Sequence, residues 1–296
     1  LVQFFTPILL NPTKEFLLYH KFLTAYALPL IGNGIICASI VAVTLPIFEF
    51  LFKVLTNISL LELADFNHPI LKKMILEAPG TYHHSLTVGN LAEAAADCID
   101  ANSLLARVGS YYHDVGKIGK AEYFSENQAI SDSKHDKLQS TMSKMIILNH
   151  VKEGVELAKR FSLNPLLINF IAQHHGTSLT HFFYWRALEG LDTEKRGEIE
   201  EEGFRYPGPK PQKREIAIVL LADSVEAASR TLKEPTPARI EELVRKIINN
   251  KFIDGQLDEC ELTLVDLERI AATFIKVLSA IYHSRVQYPE KNHEDN

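Results

Sequence analysis

From Phe22 to Phe48 the chain carries no charged residue, and the run is dominated by Leu, Ile, Val, Ala and Phe. A bilayer core asks for roughly 20 consecutive apolar residues in a helix. A secretory signal fits poorly, because its apolar stretch is only about 7–15 residues and ends in a small-residue cleavage site. The segment therefore reads as a transmembrane helix rather than a buried core helix. Pro29, Gly32, Gly34 and Pro46 are the objection. Membrane helices tolerate them where neighbouring segments satisfy the freed backbone groups, so other spans are expected to pack here. Leu1 to Leu10 is also apolar but too short to span. The basic flanks are thin, Lys14 and Lys21 before and Lys53 after, so charge asymmetry assigns no orientation. Position 1 is Leu, which reads as a start inside a longer protein or a trimmed end.

We divide the chain into a membrane segment (residues 1–58), a helical domain (59–289) and a disordered tail (290–296). Beyond residue 60, apolar positions recur at three and four, as in Leu86, Leu91, Ala94 and Ala95, or Ile240, Leu243, Ile247 and Ile248. Asn164-Pro165 and Thr236-Pro237 each place a capping side chain before a proline at the first helical position. Asn102-Ser103 begins another helix. Gly116 and Gly176 are expected just past helix C-termini. No alternating strand pattern appears, so the fold is expected to be all-α. Phe124 to Lys137 reads as a loop, and Gly190 to Arg214, with Pro207, Pro209 and Pro211, as a surface excursion. The 296 residues are 46% hydrophobic and 23% charged, enough for a sizeable core. A net charge of −6 does not favour binding a nucleic-acid polymer. Cys37, Cys98 and Cys260 are distant and odd in number, and read as free thiols of a reducing compartment.

Chemistry concentrates in His84, the pair His113-Asp114, His150, the pair His174-His175, and Asp223. Five imidazoles and two carboxylates suffice for two metal ions, and residue types alone leave iron, manganese and zinc open. Neighbours on a regular helix point about 100° apart, so His113 and Asp114 reach one metal pair only where a helix ends. Asp114 could then bridge two ions, which lie roughly 3.5–4 Å apart in hydrolytic sites. His174-His175 repeats that logic before Gly176. His150 is expected to close a helix whose inner face is Met142, Ile146 and Leu148. Asp223 lies in the apolar run Ile218 to Ala222, where an unpaired carboxylate is costly to bury.

Blander readings stand beside these. A single helical histidine is more often a core or surface residue than a ligand. The dipeptide is weak by itself, since His135-Asp136 repeats it in a polar loop and reads as a solvated turn. His83 is the alternative to His84. His20 and His68 flank the membrane segment and read as interfacial. His181, His283 and His293 have no supporting context, although His181 could line a pocket. Lys117 either serves catalysis by holding a phosphate oxygen or offsets a helix dipole. Arg230 either reaches a second phosphate or makes a surface ion pair with Glu226. Tyr184, within Phe182-Phe183-Tyr184-Trp185, either stacks on a nucleobase or packs in the core.

The joint pattern H…HD…H…HH…D resembles the HD-domain metallophosphohydrolase superfamily. The stretches Tyr111 to Gln128 (YYHDVGKIGKAEYFSENQ), His174 to Glu189, Phe204 to Gln212 and Leu221 to Arg230 are similar to one branch, the seven-transmembrane HD receptors of the PgpH type. The resemblance runs from about Leu60 to Pro289. It implies an HD-domain helical bundle after a last transmembrane helix, and a cyclic di-AMP phosphodiesterase. It further implies that His84, His113, Asp114 and Asp223 ligate one metal and Asp114, His150, His174 and His175 the other, with iron or manganese as the ions. A hydroxide activated by the two metals would attack phosphorus in line, giving linear pApA. Sequences of the cyclic di-GMP branch carry a GYP signature; Arg205-Tyr206-Pro207 is not one. Cyclic di-GMP, another nucleotide substrate, and a nucleotide-binding receptor without turnover are the alternatives. We expect a cell-membrane protein with a cytoplasmic catalytic domain, a cyclic dinucleotide as its partner, and a homodimer as its assembly.

Overall fold

The structure, a computed structural model, describes residues 12–128, 140–189 and 200–283. The His135-Asp136 turn, His293, the Leu1 to Leu10 run and the tail 290–296 lie outside the described residues. The chain divides into two compact units, Leu1–Leu55 and Thr56–Asn296.

The first unit is helical throughout its described part: α1 (Pro12–Phe22), a π-turn (Leu23–Ala27) and α2 (Leu28–Phe52). The π-turn has a cause. Pro29 lacks an N–H and its ring crowds the carbonyl four residues back, so the preceding turn widens. Hydroxyls along the helix are satisfied internally: Thr24 donates to the His20 carbonyl at 2.7 Å, Ser39 to Ile35 at 2.8 Å and Thr44 to Ile40 at 2.8 Å. Phe16 to Glu49 is long and apolar enough to cross a membrane. Its large side chains are open among the described residues: Leu18, Leu30 and Val43 are 76%, 70% and 68% exposed. Lipid is the solvent in which such a surface is not penalised.

The second unit is helical too: α3 (Asn57–Leu63), α4 (Pro69–Glu77), α5 (Pro79–Cys98), α6 (Ser103–Tyr112), α7 (Ser140–Arg160), α8 (Pro165–Gln173), α9 (His181–Glu189), α10 (Arg214–Ser229), α11 (Pro237–Ile253) and α12 (Leu264–His283). Among the described residues there is no strand, only an isolated bridge between Leu179 and Arg205. Proline opens α4, α5, α8 and α11, where the missing N–H is one the helix could not have used. Asn102 accepts from the Leu105 N–H, Asn164 from Leu166 and Thr236 from Arg239. Replacing Asn102 by Ala should cost about 1 kcal/mol, read as a lowered denaturant midpoint.

Helix α10 is central. Ile216 to Ala222 are all buried, which marks a helix packed on every side. It lies against α5, α6 and α11, and α5 in turn against α6 and α12. The helix carrying His150 departs from expectation. His150 does not close a helix; it sits inside α7, which runs on to Arg160, and Met142 is 53% exposed.

Candidate metal centre

Four of the seven candidate ligands are placed by helix ends. Helix α6 ends at Tyr112, and His113 and Asp114 leave it just where their side chains can turn the same way. Gly116 is not a left-handed cap. It opens a 3-10 segment (Val115–Tyr123) laid directly on α7, and a Cβ there would collide with the His150 carbonyl and the Gly154 nitrogen. Gly176, by contrast, has φ +54° and ends the turn that carries His174 and His175, its N–H bonded to the Gln173 carbonyl. His84 comes from α5, His150 from α7 and Asp223 from α10.

All seven side chains meet. Asp114 is fully buried, and its two oxygens face different ways. Oδ2 lies 3.5 Å from His84 Nε2 and 3.2 Å from His113 Nε2; Oδ1 lies 3.4 Å from His150 Nε2 and 3.5 Å from His174 Nε2. Asp223 Oδ1 is 3.0 Å from His84 Nε2, and its Oδ2 is 3.4 Å from His175 Nδ1. Two groups of four result, His84, His113, Asp114, Asp223 and Asp114, His150, His174, His175, each with ligand atoms within 4.8 Å of one another.

The donors suit cations. His84 Nε2, His113 Nε2 and both Asp114 oxygens are buried without a well-formed hydrogen bond, a costly state that a shared positive ion relieves. The far nitrogens are already engaged. Nδ1 of His113, His150 and His174 each meets the carbonyl three residues earlier, Ser110, Ile147 and Ile171, at 2.6, 2.5 and 2.9 Å. This leaves Nε2 of each ring turned inward.

Charge follows from the packing. Burial alone would raise the Asp114 carboxyl, but His113 and Lys117 outweigh it and hold the group well below the ordinary range. Asp223 is held down likewise, with His84 and His175 overcoming burial. Burial brings His174 down to about 4 and, together with His174 itself, depresses His175; both rings are neutral and able to ligate. His84 is the exception. Burial opposes its charge, yet Asp223 and Glu226 raise it to about 9. At pH 7 the metal-free ring is protonated, and an ion can only displace that proton. Uptake should therefore release about one proton per chain at pH 7, and affinity should fall roughly tenfold per unit as pH drops below 9. Calorimetry in buffers of different ionisation enthalpy counts the proton; no release would contradict the assignment.

Lys117 lies 2.7 Å from Asp114 Oδ2 and 2.8 Å from Glu126 Oε1. Those carboxylates keep it charged against the pull of burial. The ion pair of Arg230 with Glu226 forms at 2.6 Å, but it is not a surface pair, because the Glu226 side chain is only 7% exposed. Tyr184 packs on Phe204. A cavity of about 550 Å³ opens over the cluster, lined by Lys117, Phe124, His150, His175, Phe182 and Tyr206 among others, and not by Tyr184. His83 is exposed while its neighbour His84 is buried. His20 is exposed on α1, and His181 is exposed outside that lining. His68 is not simply interfacial: its ring packs edge-on against Tyr112 at 5.5 Å.

Three residues of the site escape sequence reasoning. Glu226 had a signal, its i+3 spacing from Asp223 on an apolar helix. Glu126 sits in a polar, aperiodic stretch with none. Tyr206 belongs to the supposed surface excursion, yet its ring stacks on His175 at 4.2 Å. The bond from the Tyr206 N–H to the Ser178 carbonyl draws that segment inward.

Histidine and aspartate side chains drawn together from helix ends and helix interiors in an all-helical unit define a class. Residues 81–228 match the HD domain family, and the chain belongs to that family. It is 49% identical over 258 residues to the cyclic-di-AMP phosphodiesterase PgpH of Bacillus subtilis (strain 168), covering 87% of this chain and 36% of that protein. It is 45% identical over 282 residues to the cyclic-di-AMP phosphodiesterase PgpH of Listeria monocytogenes serotype 1/2a (strain 10403S), covering 95% and 37%. The chain thus spans just over a third of the length of these relatives. The crystal structure of the L. monocytogenes PgpH HD domain in complex with cyclic-di-AMP superposes with a TM-score of 0.70 at 48% identity, over 74% of this chain and 100% of that one.

Proposed function

We propose that the chain is a metal-dependent phosphodiesterase hydrolysing cyclic di-AMP to linear pApA. The observation that carries this reading is Asp114, a buried carboxylate offering one oxygen to each of two imidazole groups, beside an aromatic-walled cavity that His150, His175 and Asp223 of the same cluster line. The relatives and the cyclic-di-AMP complex described above support the choice of substrate.

His84, His113, Asp114 and Asp223 would hold one ion and Asp114, His150, His174 and His175 the other. Iron or manganese suits these mixed ligands, and such a pair supplies, when bound, an acidified water and a counter to the charge growing on phosphate. The chain's own groups do the rest. Lys117 donates to Glu126 and pairs by charge with Asp114; a remaining N–H can hold a phosphate oxygen. Arg230 engages Glu226 through Nε and Nη2, and we assign its Nη1 to a second phosphate. For the nucleobase we choose Phe182 and Tyr206 over Tyr184, because those rings line the cavity. We place the helical domain in the cytoplasm, in keeping with its two free cysteines, Cys98 and Cys260, and the apolar helix in the cell membrane.

Incubation with cyclic di-AMP or cyclic di-GMP, with and without Mn²⁺ or Fe²⁺, tests the proposal by chromatography of products. Metal-dependent appearance of pApA is the expected outcome. Tight binding without product, or preference for cyclic di-GMP, overturns it.

A further inference from the structure

His84 is held differently from the other ligands. Three of the imidazoles lean on carbonyls of their own helix, which helix geometry supplies regardless of side chains. His84 Nδ1 instead lies 2.5 Å from Glu226 Oε2, a side chain of another helix 142 positions away. A carboxylate paired with a guanidinium has no proton to give, so Nδ1 carries the proton and donates it. Nε2, which faces Asp114 and Asp223, is thereby the nitrogen that yields its proton to an ion and turns its lone pair to it. Glu226 is in turn fixed by Arg230, whose Nε and Nη2 donate to Oε2 at 3.0 and 2.6 Å. Arg230 Nη2 also comes within 2.7 Å of Nδ1; two donors make no bond, and the shared carboxylate accepts from both. Asp223, Glu226 and Arg230 stand at i, i+3 and i+7 of one helical run, so a single face of α10 provides a ligand, the support of a second ligand and the clamp on that support.

We propose that Glu226 is a positioning residue for one of the two ions: it selects the tautomer and ring orientation of His84 without touching metal or substrate. This deepens the reading of the cluster as a two-metal centre and rests on it. Outer partners of this kind typically account for about 10–100-fold in metal affinity.

The test uses the full chain in detergent, with no nucleotide, titrated with Zn²⁺ and Mn²⁺ against a chromophoric chelator. Wild type should take two ions. Glu226→Ala should weaken one of them by about 10–100-fold and leave the other, on His150, His174 and His175, near its wild-type affinity. Glu226→Gln keeps an acceptor oxygen and should recover most of the loss; a neutral acceptor is roughly half as strong, so a measurable deficit at that same site remains. Both affinities unchanged in Glu226→Ala, or both falling together in a chain of wild-type helicity, overturns the proposal. Should Glu226→Ala not fold, Glu226→Gln decides: loss confined to one site supports it, and no loss or equal loss at both overturns it. A wild-type chain that binds no ion instead refutes the metal reading itself, which separates the two failures.

Discussion

Asp114→Asn should lower turnover of cyclic di-AMP by at least about a thousandfold, ~4 kcal/mol of transition-state stabilisation. The substitution changes no volume, so packing around the fully buried side chain is kept. What changes is the charge and one of the two acceptors. Oδ1 and Oδ2 each serve a separate imidazole group, and an amide can offer only one oxygen, turning its NH₂ toward the other group. Both groups lose an anionic ligand at once. Metal content should therefore fall together with turnover, read by elemental analysis of the purified chain. Lys117 would keep Glu126 as its counter-charge, so the fold should survive and circular dichroism should be unchanged. Retained turnover in that variant would remove the basis of the phosphodiesterase reading.

Gly116→Ala should have the largest effect on stability. The 3-10 segment at Gly116 lies on the backbone of α7, and an added Cβ meets a carbonyl and a peptide nitrogen rather than a movable side chain. Neither can step aside without separating the two elements. Overpacking of this kind costs about 3 kcal/mol, which corresponds to a Tm lower by roughly 6–12 °C for a unit of this size. The carbonyl it strikes belongs to His150, so the ligand moves with it, and a displacement of about 1 Å can cost some hundredfold in rate. Gly119→Ala is the control: its Cβ would meet nothing within 4 Å, and it should be neutral in both measurements. Equal behaviour of the two variants would show that the close approach at Gly116 is not needed.

These predictions separate what is local from what is not. The apolar run of the first unit, the prolines at helix starts and the caps at Asn102, Asn164 and Thr236 are legible in the sequence, because each is decided by residues within one or two turns. The seven candidate ligand side chains could be singled out for a similar reason: imidazoles and carboxylates near helix ends or in an apolar run are conspicuous where they stand. Their meeting could not be derived that way. His150 was expected at a helix end and lies inside α7; its place is decided by how closely Gly116 lets the 3-10 segment approach.

An all-helical domain following an apolar helix, and a stock of imidazoles and carboxylates able to hold metal, are legible in the order of the residues, since helix periodicity, caps and hydropathy are properties of short stretches. That Asp114 turns one oxygen to each group, that Glu226 is buried beside His84, and that Tyr206 stacks on His175 all come from long-range packing. Those facts depend on pairs up to 142 positions apart, whose distance is set by the packing of α5, α7 and α10 and leaves no trace in local pattern.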